Sequence, residues 1–192
     1  MEATQDNRQR PIGGSVGLVF AGLWSVLGAL AMRGIVQLFV FAAGPLLSAL
    51  LVARLWRVHG RGGDTGMFRR RAYLLAVILE VAALYAVAFL LPRFGLSAYF
   101  IPAVGLVVGL HFIGLWRATG YARFLWIAGC MSAVSIMSMA LPASAFAFVT
   151  NLRNAVCGLG NAIVLWIFAG RSIQLESVMH LVHRETSVGR DL

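Results

Sequence analysis

The sequence contains no lysine, only seven acidic residues and only two cysteines. Charged residues make up 12% of the chain, about half of the roughly 25% found in soluble domains. A chain this poor in charge cannot clothe a water-facing surface, which excludes an ordinary soluble domain. Cys130 and Cys157 form no CxxC pair and both lie in apolar stretches. A disulfide framework and a dithiol redox pair are therefore excluded, and each cysteine reads as a small buried hydrophobe. There is no HExxH, no phosphate-loop pattern and no potassium-filter sequence. Only one histidine, His111, falls within a long apolar stretch. Bis-histidine haem is thus excluded, and a second axial ligand would have to be a methionine such as Met137. No cofactor and no metal is expected.

What is abundant is hydrophobic sequence, at 60% of residues. Crossing hydrocarbon takes about 20 apolar residues in a helix. Six stretches meet that length, at residues 13–32, 34–53, 72–92, 97–116, 124–142 and 149–170. Arg33, Arg54, Arg117 and Arg171 punctuate them, and Pro142 divides the fifth from the sixth. The stretches are continuously apolar, without the period of two that a membrane barrel requires. The expected fold is therefore all-α: a polytopic integral membrane protein, one bundle of six transmembrane helices over residues 1–170. Residues 171–192 form a tail that could include a short amphipathic helix on the membrane surface. Ala29-Leu30-Ala31 resembles a signal-peptidase site, but the apolar run before it is longer than a usual signal core, so an uncleaved first helix is expected.

Arginine placement gives the orientation. With six spans, thirteen arginines fall on the side of the N-terminus, the loop around residues 54–71, the loop around residues 117–123 and the C-terminus. Only Arg33, Arg93 and Arg153 fall on the other side. Basic residues concentrate on the cytoplasmic face, so both termini are expected there, in the cell membrane and specifically a bacterial inner membrane. Trp56, Tyr73, Trp116, Trp126 and Trp166 lie near the cytoplasmic helix ends, where their rings favour the headgroup level. The basic loop is expected to face anionic lipids, so the net charge of +9 needs no nucleic-acid partner. A homo-oligomer or a membrane protein partner is compatible with this surface.

Polar groups inside the spans are the candidates for function, because an ionisable side chain in hydrocarbon costs about 2.5–3.5 kcal/mol on insertion scales. Glu80 is the only acid within a span. At 1.5 Å per residue, Glu80 lies about 12 Å from the cytoplasmic end, His111 about 8 Å, Asn161 about 14 Å and Ser132 about 13 Å. Four groups on four helices thus share a layer, where a carboxylate beside an imidazole could exchange a proton near neutral pH. The plainer reading is a hydrogen-bonded cluster that joins helices. Asn154, Gly158 and Asn161 fall on one face of the sixth helix and could line a cavity with that layer, or pack closely on a neighbour.

Other features read as structure. Gly13 and Gly17, and Gly105 and Gly109, are GxxxG pairs, and Ser132, Ser135 and Ser138 line one helix face. Gly44-Pro45 is expected to kink the second helix. Arg153 is expected to snorkel to the outer surface, with a buried anion site as the alternative. Glu176, His180 and His183 share a face but lack the remainder of a zinc site. The leading expectation is a small-solute or proton-linked transporter using Glu80, His111, Asn161, Ser132 and Asn154. The alternative is a non-catalytic membrane subunit or assembly factor, and an enzyme is expected least.

Overall fold

The computed structural model describes residues 12–59, 71–143 and 148–188, with side chains over 14–57, 71–143 and 148–171. It contains six α-helices: α1 (Ile12–Leu30), α2 (Gly34–His59), α3 (Arg71–Arg93), α4 (Phe100–Thr119), α5 (Ala122–Met139) and α6 (Leu152–Val188). A 3-10 turn, Ser97–Tyr99, precedes α4. Among the described residues there is no strand, only an isolated antiparallel bridge between Met32 and Val149. The helical class and the rough positions of the elements match the sequence reading. Five helices contain stretches long and apolar enough to cross a bilayer, and the apolar stretch Gly14–Leu30 of α1 is shorter.

The differences in boundary have local causes. Gly34 and Gly95 adopt φ of +64° and +69°, in the left-handed region that a side chain resists, so the backbone turns there. Gly120, at φ +78°, ends α4 by donating its N–H to the Trp116 carbonyl at 2.7 Å. The expected fourth span thereby resolves into a 3-10 turn and a helix. α5 ends at Met139, three residues short of Pro142. α6 starts at Leu152, where Asn151 caps it through an Oδ1 contact to the Asn154 N–H at 3.1 Å. It then continues unbroken to Val188, so the described part of the tail extends α6.

Consecutive helices run antiparallel, and α6 sits between α1 and α5. α2 packs on α1, α4 on α5, and α3 on α4 and the 3-10 turn. The chain is thus two wings, α1–α2 and α3–α4–α5, joined through α6. The α1–α6 contact is backbone to backbone: a Cβ on Gly158 would overlap Gly28, and a Cβ on Gly28 would lie 2.9 Å from the Leu159 nitrogen. Around it lies a core of Ala21, Trp24, Val108, Ile127, Met131, Cys157, Ala162 and Leu165. Gly105 and Gly109 form close contacts as expected, whereas Gly17 meets nothing within 4 Å. Gly13 lies outside the described side chains. α2 runs on through Pro45, while Gly44 lets the chain pass directly over Ser25 of α1.

The two ends of the bundle are held differently. At the end bearing the α1–α2, α3–α4 and α5–α6 connections, backbone groups knit the loops together. The Arg33 N–H reaches the Phe148 carbonyl at 2.9 Å and the Thr150 N–H reaches the Ala31 carbonyl at 2.8 Å. At the opposite, Arg-rich end, the ties are side chains. Trp56 Nε1 donates to Ser15 Oγ and Trp166 Nε1 to Ser48 Oγ, both at 2.9 Å. Leu18 and Leu55 fill the space between them with Leu51, Val52 and Ala169.

Candidate functional site

The α3–α4 contact brings the only two ionisable groups of the expected polar layer together. Ala76 and Glu80 are one turn apart on α3, and Gly114 and His111 are three residues apart on α4. A Cβ on Gly114 would lie 2.7 Å from the Ala76 Cβ, so the missing side chain allows the helices to close there. That closeness carries the His111 ring across the gap. Its Nδ1 lies 3.3 Å from Glu80 Oε2 and 3.2 Å from the Ala76 carbonyl oxygen. The side chains are 10% exposed for His111 and 17% for Glu80, so the pair is largely withdrawn but not sealed.

The Ala76 carbonyl can only accept, so it bonds to the ring when the hydrogen sits on Nδ1, whereas a protonated Glu80 would instead donate to a bare Nδ1. Phe112 stands edge-on to the ring with centroids 6.1 Å apart, and stacks on Phe124 of α5. Chemically, the pair can hold a proton in the spanning region and pass it between two groups.

Asn161 belongs to a second cluster. Its side chain is fully buried, and Nδ2 lies 3.4 Å from Ser135 Oγ and 3.5 Å from Cys157 Sγ. Cys157 Sγ points to the Ile101 carbonyl at 3.8 Å, and Ser138 Oγ donates to the Ser135 carbonyl at 2.7 Å. A Cβ on Gly105 would lie 2.5 Å from Ser135 Oγ and 2.8 Å from Asn161 Nδ2, so the cluster is seated on bare α4 backbone. Among the described residues, three buried oxygens have no hydrogen-bond partner: Ser132 Oγ, Asn154 Oδ1 and Asn161 Oδ1. All three lie on α5 or α6.

The sequence-predicted layer therefore divides around α4. His111 meets Glu80 on the side of α3, while Gly105 and Gly109 meet Asn161 and Ser132 on the side of α5 and α6. The expected face of α6 divides as well, because Gly158 packs on α1 and Asn161 turns toward α5. Sequence reasoning left Cys157 and Ser135 out of the site. The signal was present, since Cys157 lies one turn before Asn161 and Ser135 lies in the serine stripe.

Arg153 corrects another expectation. Instead of snorkelling outward it is 7% exposed. Its Nε and Nη2 donate to the Leu141 carbonyl at 3.1 and 2.8 Å, and Nη1 donates to the Ala98 carbonyl at 3.3 Å. Its guanidinium carbon lies 4.0 Å from the centre of the Tyr99 ring. It ties the start of α6 to the end of α5 and to the 3-10 turn. Carbonyls that would otherwise be unpaired beyond α5 are satisfied in this way.

Met137 is 68% exposed on α5 and turns away from the bundle, so it is not placed as an axial partner for His111. Among the described residues no group of three metal-ligating side chains occurs. The Glu176, His180 and His183 side chains and the basic loop at residues 60–70 lie outside the described ones. No protein family, curated protein or solved structure matches this chain.

Proposed function

We propose that this is a multi-pass protein of a bacterial inner membrane, crossing six times with both termini in the cytoplasm, that moves a small solute or proton across the bilayer. The observation that carries the reading is the 3.3 Å approach of His111 Nδ1 to Glu80 Oε2 inside the spanning region. Intramembrane ionisable residues are costly and mark ion and proton pathways when they face protein. α1 completes the sixth crossing if its N-terminal residues reach the interface, and the thirteen-to-three division of arginines supports the orientation. The test is flux in proteoliposomes under an imposed proton gradient. Wild-type protein dissipates the gradient or accumulates solute, and Glu80→Gln and His111→Ala lower the rate tenfold or more while folding persists. A wild type without flux for protons or a panel of small solutes defeats the reading.

A second reading, a non-catalytic membrane subunit or assembly factor, is favoured by the seating of Asn161, Ser135 and Cys157 on Gly105. Polar side chains packed this tightly also serve to join helices, at about 0.6 kcal/mol per hydrogen bond in one membrane protein. A partner that co-purifies at fixed stoichiometry, with no flux, selects it.

A further inference from the structure

Glu80 and His111 lie unequally between the two ends of the bundle. At 1.5 Å per residue, Glu80 sits about 14 Å along α3 from Arg71 and about 20 Å from Arg93. The face of α3 that carries Glu80 recurs every three to four residues. Toward the Arg-rich end it holds Tyr73, Ala76 and Val77, and toward the knitted end it holds Leu84, Val87 and Leu91. All of these but the buried Ala76 are half-buried. On α4 the face of His111 continues toward the knitted end as Val107 and Val104, also half-buried.

Protons pass through polar groups or water, and apolar packing stays dry. From Glu80 to Leu91 these facing sides of α3 and α4 carry no polar side chain, over about 16 Å. Tyr85 is 76% exposed, and Arg93 stands over the Phe89 ring on the far side of α3 from Glu80, so neither points into the contact. The opposite direction differs. Side chains lean toward the start of their helix, and α3 starts at the Arg-rich end, so Glu80 leans that way. Ala76 and Gly114 close the space between the helix axes, which leaves the flank of Val77 and Tyr73 as the approach. Tyr73 carries its hydroxyl at the headgroup level. The charged and titratable groups near the ends of the adjoining helices fall at the same end: Arg71 on α3, Arg117 on α4, and Tyr121 and Arg123 at the start of α5, all exposed. Toward the pair itself α5 presents Phe124, which stacks on Phe112.

We infer that the Glu80–His111 pair exchanges its proton with water at the Arg-rich end alone, along the α3 flank of Tyr73 and Val77. The pair then follows the pH of one compartment and is not a link in a proton wire through the bilayer. This rests on the transport reading for its purpose and deepens it: the cargo is the solute, and the proton sets when it moves. The one-sided access itself needs only the arrangement of α3 and α4.

The experiment places single cysteines in full-length Cys130→Ser, Cys157→Ser protein and adds a membrane-impermeant methanethiosulfonate cation to membrane vesicles of either orientation. The reagent attacks the thiolate, which forms only where water reaches the sulfur. Ala122→Cys and Ser97→Cys, both at exposed positions, mark the Arg-rich and knitted faces. Val77→Cys reacts from the Arg-rich face only, whereas Leu84→Cys and Val87→Cys react at least about a hundredfold more slowly from either face. A second measurement leaves α3 intact. In proteoliposomes of uniform orientation, the infrared carboxyl band that Glu80→Gln removes follows pH on the Arg-rich side and ignores pH on the other. Tyr73→Phe slows that response about tenfold. Rapid labelling of Leu84→Cys or Val87→Cys from the knitted face overturns the inference, as does an inert Val77→Cys in folded protein or a carboxyl band that follows pH on the knitted side. An unchanged response in Tyr73→Phe overturns the path along Tyr73. Absent flux with one-sided labelling defeats the transport reading alone, and labelling from the knitted face in flux-competent protein removes the one-sided access alone.

Discussion

The two sides of α4 use the same device, a glycine that lets another helix come close, and reach different results. Toward α3, Gly114 meets the Ala76 side chain, and the polar contact is an ionisable pair left partly open. Toward α5 and α6, Gly105 meets Ser135, Asn161 and Cys157, all fully buried. α3 is an outer helix that packs on α4 and the 3-10 turn, so it can shift to relieve a crowded contact. The Gly105 side faces two helices at once and has no such freedom. Close packing alone thus does not say whether a polar group is placed for chemistry or for cohesion; the freedom of the helix behind it does.

This contrast can be broken by measurement. Gly105→Leu carries the largest expected effect, because the added side chain meets three short, buried groups with nowhere to move. It should cost about 3 kcal/mol or more, at the upper end of overpacking, and show as a large fall in the detergent unfolding midpoint or loss of monodisperse protein. Gly114→Leu should cost less, about 1–2 kcal/mol, because α3 can move outward. Equal costs at the two sites would remove the distinction between the sides of α4. Smallest is Gly17→Ala on α1, half-buried but with nothing within 4 Å of an added Cβ. It should leave stability unchanged or raise it by about 0.5–1 kcal/mol through helix propensity, and a marked loss would show that another surface covers Gly17.

The helices were legible because hydrocarbon length and arginine punctuation leave few alternatives. The pairing of Glu80 with His111 was also legible, since both lie at similar depth on consecutive antiparallel helices. What was not legible is the direction each residue takes around its helix axis. Counting 1.5 Å per residue gives height and nothing else, so Asn161 and Ser132 were grouped with a pair that α4 separates from them. Gly17 and Gly105 begin or end the same motif, yet one faces open space and the other a crowded core, because the motif does not specify a neighbour. Arg153 departs from expectation because a position near a helix end implies exposure. Its partners are main-chain carbonyls, which no side-chain pattern reveals.

The central position of α6 has a consequence for how the protein is made. The two wings that it joins are synthesised first, and neither contains the surface that holds them side by side. During translation they must wait as separate units, with Gly28 uncovered and Gly105 covered only by Ser135, until the last helix arrives. A chain released before that point would present two unjoined halves to the cell's proteases, so quality control of this protein amounts to detecting whether its final segment has docked.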